Sequence, residues 1–280
     1  MHTTLISTAD LAGRLNEPGW IVCDCRHDLM FTGAGRRAYR KAHVPGARFL
    51  HLDDDLCGAK TGRNGRHPLP EPLVMAERLG ALGIDNRSQV VAYDAKEGYY
   101  AARLWWTLRW LGHDAVAVLD GGWDAWLKAA HPISDRVPVT KAARFTVRIR
   151  SETVFDARSI LATIGKPGPL LLDARSPDRF RGENKMFDPV GGHIPGAVNR
   201  LFRLNLEAAG GFKPPAALKQ EFEAILGAIP PSRVVHYCGS GVTACHNLLA
   251  MEIAGLPGSR LYPGSWSEWS SDPSRPVAKD

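Results

Sequence analysis

Segments typical of buried strands alternate with segments typical of helices along this chain. In the clearest case, apolar and β-branched residues predict a strand over Val234–Tyr237, and small residues with two glycines predict a turn. Ala, Leu and Met residues after that turn predict a helix. The same order recurs where Val90–Tyr93 precedes Arg103–Leu108. Strands that alternate with helices predict an α/β fold with parallel sheets flanked by helices.

Four sequence blocks occur twice, in the same order and at a nearly constant offset. They pair 22–26 with 171–175, 42–47 with 192–197, 90–94 with 234–238, and 122–126 with 265–269. This repetition indicates a tandem duplication of one α/β unit. We therefore predict a first domain over 1–130, a linker rich in Pro and polar residues over 131–150, and a second domain over 151–280.

The two halves differ in chemistry at one position. The second half has Cys238 at the end of its predicted strand, before a turn with Gly239 and Gly241, whereas the first half has Asp94. Backbone N–H groups of such a turn, together with the start of the next helix, stabilise a thiolate. A buried packing cysteine is the alternative, but packing does not require a glycine-rich turn. Cys238 is therefore the candidate nucleophile, and the first half is predicted to be catalytically silent.

Composition and charge narrow the classes of function. The chain of 280 residues has five cysteines, and this odd number argues against a disulfide framework. Cys23 and Cys25 alternate along a predicted strand, as two buried side chains would, and no zinc-binding spacing occurs, so we expect no metal and no cofactor. The net charge of +6 comes from scattered Lys and Arg, which favours a small anionic substrate over nucleic acid.

The apolar runs are too short for a membrane span, and the first residues lack the features of a signal peptide. We therefore expect a cytoplasmic monomer that has no membrane or nucleic-acid partner.

The repeated blocks resemble the tandem-domain sulfurtransferases of the rhodanese family. The resemblance is carried by the paired strand ends of Asp-x-Arg type, the paired His-x-Pro-Gly-Ala turns and the single cysteine loop, and it extends from Asp10 to Trp269. It implies two rhodanese-like domains and a persulfide on Cys238. The loop is most similar to the type that uses 3-mercaptopyruvate, because Gly239 and Ser240 stand where the thiosulfate type has cationic side chains.

The resemblance also implies roles for individual residues. A Ser–His–Asp relay matches Ser240, His67 and Asp53, although Asp54 or Asp55 could align in place of Asp53. Backbone groups of the cysteine loop would contact the substrate, namely those of Gly239, Gly241, Val242 and Thr243.

Two arginines bind the substrate carboxylate in this family. The first matches Arg179, and the second has no match, so Lys185 or Arg181 could replace it. Arg175 is expected to form a structural ion pair, because Arg26 repeats it in the other half.

These inferences predict a sulfurtransferase that moves sulfur from 3-mercaptopyruvate to a thiol, a thioredoxin-like protein or cyanide and releases pyruvate. The alternatives are a thiosulfate sulfurtransferase and a persulfide-carrier protein. A cysteine phosphatase is disfavoured, because Ala244 stands where a phosphatase loop has its arginine. Cys245 is expected to be packed on the sheet rather than to resolve the persulfide as a disulfide.

Overall fold

The structure, a computed structural model, describes residues 1–95 and 97–279. The chain divides into two compact units. The first comprises 1–58, 70–150 and 208–212, and the second comprises 59–69, 151–207 and 213–280. Residues 59–69 therefore belong to the unit that contains Cys238, although they precede most of the first unit in sequence.

The first unit contains a five-stranded parallel sheet in the order β1-β5-β4-β2-β3. Its strands are β1 (Leu5–Ile6), β2 (Trp20–Asp24), β3 (Arg48–Phe49), β4 (Gln89–Tyr93) and β5 (Val116–Leu119). Its helices are α1 (Thr8–Ala12), α2 (Ala34–Lys41), α3 (Leu52–Asp55), α4 (Pro72–Ala81), α5 (Tyr99–Trp110) and α6 (Gly122–Lys128). All of β4 is buried, which fits the run Val90–Tyr93, because helices cover both faces of a parallel sheet.

The second unit has a four-stranded parallel sheet in the order β11-β10-β6-β7. The strands from here to the C-terminus are β6 (Leu170–Asp173), β7 (Val198–Asn199), β8 (Leu206–Glu207), β9 (Gly211–Phe212), β10 (Val234–Tyr237) and β11 (Arg260–Leu261), of which β9 belongs to the first unit. The helices are α7 (Ala157–Leu161), α8 (Pro177–Arg181), α9 (Pro215–Leu226), α10 (Thr243–Ile253) and α11 (Ser265–Trp269). Single 3₁₀ turns lie at 151–153, 202–205 and 231–233. These sheets confirm the predicted parallel α/β fold.

Each unit contains the same buried ion pair, between the last residue of one strand and the arginine two positions later. Arg26 binds Asp24 through Nε and Nη2 and lies over the ring of Trp123. In the second unit Arg175 binds Asp173 in the same way, and its guanidinium lies 4.8 Å from the ring centre of Trp266. Arg175 is therefore committed to a structural ion pair, as the repeat predicted.

The cysteines other than Cys238 are all buried. Cys23, Cys25, Cys57 and Cys245 are at most 3% exposed, and none of these four forms a disulfide. Burial raises the pKa of Cys23 to about 12 and that of Cys25 well above the ordinary value, so both stay protonated thiols. The Cys245 thiol donates to the carbonyl of Gly241 at 3.3 Å, within the loop-to-helix turn.

Within the described ranges, 1–95 and 97–279, none of the helices combines the length and apolar character needed to cross a bilayer.

Candidate active site

The candidate nucleophile lies in a turn between β10 and α10. Cys238 follows the last strand residue and is 2% exposed, and its sulfur accepts a hydrogen bond from the Gly241 N–H at 3.1 Å. Gly241 has φ +77°, and a Cβ there would lie 2.3 Å from the Pro263 carbonyl oxygen. Only glycine fits this position without displacing backbone, and its amide is thereby directed at the sulfur. Gly239 and Val242 complete the same turn, and Thr243 begins α10.

Three hydrogen bonds to the start of α11 hold this turn in place. The Cys238 N–H donates to Ser265 Oγ at 3.1 Å. The N–H groups of Trp266 and Ser267 donate to the carbonyls of Cys238 and Gly239, each at 2.9 Å. The first two residues of the loop, Cys238 and Gly239, are thus bound to α11. This pre-organises the sulfur and its amide donor.

Ser240 and His67 are in direct contact, although 173 positions separate them in the sequence. Ser240 Oγ lies 2.7 Å from His67 Nδ1, and both side chains are buried. The neighbouring Arg66 backbone N–H donates to Ser267 Oγ at 3.0 Å, which anchors the His67 segment beside the cysteine loop. This pair can move a proton next to Cys238.

Asp53, the third residue of the predicted relay, lies in α3 of the first unit. Its Oδ2 is 3.6 Å from Nε2 of His27, a buried histidine whose two ring nitrogens have no hydrogen-bond partner. Burial lowers the pKa of His27, and the nearby His51 lowers it further, so the neutral imidazole faces Asp53. The role of Asp53 as partner of His67 stays a prediction.

His27, His51 and Asp53 offer atoms within 4.8 Å of one another that could ligate a metal. However, the ring nitrogens of His51 already contact the Thr32 carbonyl at 2.9 Å and the Asp54 N–H at 3.2 Å. His51 would have to give up one of these contacts to bind a metal, so the group is a poorly prepared site.

Two guanidinium groups lie beside the cysteine loop, where the sequence predicted one. A Cβ built on Gly239 would lie 2.8 Å from Nη2 of Arg179 and 2.8 Å from Nη2 of Arg66. Arg179 was predicted, whereas Arg66 was not. The sequence feature that could have indicated Arg66 is its position next to His67, because any loop that places His67 near the cysteine also places Arg66 near it.

The residues predicted as substitutes for the second arginine are placed differently. Lys185 is exposed, and its carbonyl accepts the N–H of Asp188. Arg181 is bound through Nε and Nη2 to Glu183, with both distances 2.8 Å. A role for Lys185 in substrate binding stays a prediction, and Arg66 is the group found next to the loop.

Asp188 forms an ion pair with each of the two guanidiniums. Its Oδ1 contacts Nη1 of Arg66, and its Oδ2 lies 2.5 Å from Nη2 of Arg179. Burial would raise the pKa of Asp188, but the Arg66 and Arg179 charges outweigh burial and hold it below its ordinary value. Asp188 is therefore ionised near neutral pH.

The corresponding turn of the first unit is filled by a carboxylate. Asp94 accepts hydrogen bonds from the backbone N–H groups of Gly98 at 3.0 Å and of Tyr100 and Ala101 at 2.8 Å each. Backbone N–H groups thus hold the side chain at the start of the turn in both units, and that side chain is a carboxylate in the first unit and a sulfur in the second.

Comparison with known proteins gives consistent matches along the chain. A family model described as a rhodanese-like domain matches residues 7–129 and 156–272. The "Probable 3-mercaptopyruvate sulfurtransferase" of Pseudomonas aeruginosa is 48% identical over 276 residues, covering 98% of this chain and 97% of that protein. The thiosulfate sulfurtransferase of Bos taurus is 34% identical and covers 96% of this chain and 92% of its own. The structure of 3-mercaptopyruvate sulfurtransferase from Leishmania major has a TM-score of 0.84 at 28% identity, with 96% of this chain and 74% of that chain covered.

Proposed function

The chain belongs to the rhodanese family of sulfurtransferases, and on this premise we propose that it takes sulfur from 3-mercaptopyruvate through Cys238. The observation that carries the proposal is the Ser240–His67 pair, with its 2.7 Å contact, next to a cysteine held by the Gly241 amide. A persulfide requires the sulfur and its amide, whereas release of a carbon leaving group also requires a proton source. The pair supplies that source.

The reaction begins with attack of the Cys238 thiolate on the sulfur of 3-mercaptopyruvate. A sulfur–sulfur bond forms, the carbon–sulfur bond breaks, and its electron pair stays on carbon as the enolate of pyruvate. The Ser240 hydroxyl, backed by His67, delivers a proton to that carbon, and Asp53 is proposed to orient His67. Pyruvate leaves, and the Cys238 persulfide remains under the Gly241 N–H.

The second half-reaction transfers the outer sulfur to an acceptor. A thiolate, from a small thiol or from a thioredoxin-like protein, attacks the outer sulfur and displaces the Cys238 thiolate; cyanide can do the same. The turn that held the persulfide then holds the regenerated thiolate, so a single set of amides serves both steps.

The proposal predicts a specific product of single turnover. Incubation with 3-mercaptopyruvate and no acceptor should release one equivalent of pyruvate per chain and increase the mass of the chain by one sulfur atom. Cys238→Ser should show neither product. Cys245→Ser is the matched control, since it alters a buried thiol at the start of α10 and should retain both products. Sulfur transfer by Cys238→Ser would contradict the proposal.

Thiosulfate is the second candidate donor, because the similar chains include thiosulfate sulfurtransferases. It needs no proton on its leaving group, since sulfite departs as a stable anion. Wild-type turnover of thiosulfate alone, without release of pyruvate from 3-mercaptopyruvate, would favour this candidate. A persulfide carrier would load sulfur from a partner protein and would turn over neither small donor.

A further inference from the structure

The guanidiniums of Arg66 and Arg179 form a cluster with Asp188, which we call the arginine cradle. Arg66 also donates through Nη1 to the carbonyl of Phe187 at 2.8 Å, and the Arg179 guanidinium lies 5.4 Å from the Phe187 ring centre. Asp188 is 3% exposed, whereas the side chains of Arg179 and Arg66 are 17% and 35% exposed. The carboxylate is therefore the buried end of the cradle, and the two guanidiniums lie between it and Gly239, partly exposed to solvent.

The cradle has unused hydrogen-bond donors. Arg179 Nε is buried and has no hydrogen-bond partner. An unpartnered buried N–H costs free energy unless a ligand satisfies it. Arg66 uses Nη1 for its protein contacts, and its Nη2 is the atom that lies near Gly239. Donors on two guanidiniums that face the same loop can bind both oxygens of a carboxylate.

The net charge of the cradle is +1. Arg66 and Arg179 contribute two positive charges, Asp188 removes one, and the neighbouring Arg175 is already neutralised by Asp173. A charge of +1 balances a donor with one carboxylate and a neutral thiol, as in 3-mercaptopyruvate. It leaves one negative charge of thiosulfate without a counter-ion in a partly desolvated site, which is unfavourable.

We propose that Arg66 is the second carboxylate-binding cation and that Asp188 sets the charge of the donor that the enzyme accepts. This inference rests on the proposed function, because it concerns the donor of the same site. Arg66 and Arg179 would contact the substrate, and Asp188 acts through them as a positioning and charge-setting residue.

The decisive variant is Asp188→Asn, which keeps the shape of the side chain and raises the charge of the cradle to +2. The kcat/KM for thiosulfate relative to that for 3-mercaptopyruvate should increase about tenfold, because an added positive charge attracts a dianion more than a monoanion. Asp188→Glu changes the length and keeps the charge, so its donor ratio should stay near that of the wild type. A ratio that moves equally in both variants would overturn the charge-setting role.

Arg66→Gln tests the second cation. The KM for 3-mercaptopyruvate should rise about tenfold or more with a smaller change in kcat, because a charge-assisted contact to the carboxylate is lost. His67 should stay in place, since the variant keeps the hydrogen bond from the Arg66 backbone N–H to Ser267 Oγ. Arg158→Gln, which removes an exposed charge from α7 in the same unit, is the matched control and should leave both constants unchanged. An unchanged KM in Arg66→Gln would remove Arg66 from the site.

Two further measurements separate the possible failures. Inhibition by pyruvate and by sulfate measures binding of a monoanion and a dianion without turnover, and Asp188→Asn should shift the ratio of the two inhibition constants toward sulfate. Thermal unfolding shows whether each variant is folded. If the wild type does not use 3-mercaptopyruvate, the proposed function fails. If it does, while Asp188→Asn keeps the wild-type donor ratio and Arg66→Gln keeps the wild-type KM, only the cradle inference fails.

Discussion

One side chain at the start of a turn distinguishes the chemistry of the two units. Asp94 and Cys238 follow equivalent strands, and each accepts backbone N–H groups of its own turn. In the first unit the carboxylate accepts from the N–H of Gly98 in the turn and from those of Tyr100 and Ala101 in α5. In the second unit the sulfur takes one from Gly241 and can react. Repeated backbone geometry therefore provides an anion site, and the residue type provides the reaction.

Ser240→Ala tests the proton route at the scale of a single hydroxyl. The kcat/KM for 3-mercaptopyruvate should fall about a hundredfold, as is typical for the loss of general acid catalysis, while thiosulfate turnover should fall much less. The measurement is steady-state kinetics with both donors. Ser271→Ala, an exposed serine of the same unit, is the control. Equal losses with the two donors would remove the case for a Ser240–His67 proton route.

The strand that leads to the nucleophile contains a buried titratable group. His236 in β10 has Nε2 3.1 Å from the sulfur of Met251, and its Nδ1 has no hydrogen-bond partner. Burial, with a smaller contribution from Arg200, lowers the pKa of His236 from 6.5 to about 3. The element that positions Cys238 is thus built around a neutral imidazole.

This element should make the enzyme sensitive to acid. Between pH 6.5 and about 3 the unfolded chain binds a proton at His236 that the folded chain does not, so stability falls as pH decreases. The contribution has a slope of up to about 1.4 kcal/mol per pH unit. Urea unfolding of wild type and His236→Gln at pH 7 and pH 5 measures it. The variant should lose less stability on acidification, and parallel losses would show that His236 does not titrate on unfolding.

At the scale of the whole molecule, the repeat and the fold were predictable from the sequence, because periodic apolar blocks determine buried strands locally. The parallel α/β architecture, the family and the packing of Cys23 and Cys245 were all confirmed. The contact between Ser240 and His67 was also anticipated, through the family resemblance. Composition and spacing alone would have left His67 as one loop histidine among several.

The arginine cradle could not be predicted in the same way. Arg66 and Asp188 are 122 positions apart and belong to no local pattern, so only the folded chain brings them together. The expectation for a second cation rested on the segment after Arg179, where the residues present are Arg181 and Lys185. The second guanidinium beside Gly239 instead comes from Arg66 in the segment 59–69, which belongs to the second unit despite its place in the sequence.

The most direct test of the account is the ratio of kcat/KM for 3-mercaptopyruvate to kcat/KM for thiosulfate on the purified wild-type protein, with a common thiol acceptor. The account predicts a ratio well above one, with pyruvate formed in step with sulfur transfer, because the cradle charge of +1 and the Ser240–His67 pair both suit the mercapto-acid. A ratio below one, with thiosulfate as the better donor, would contradict it.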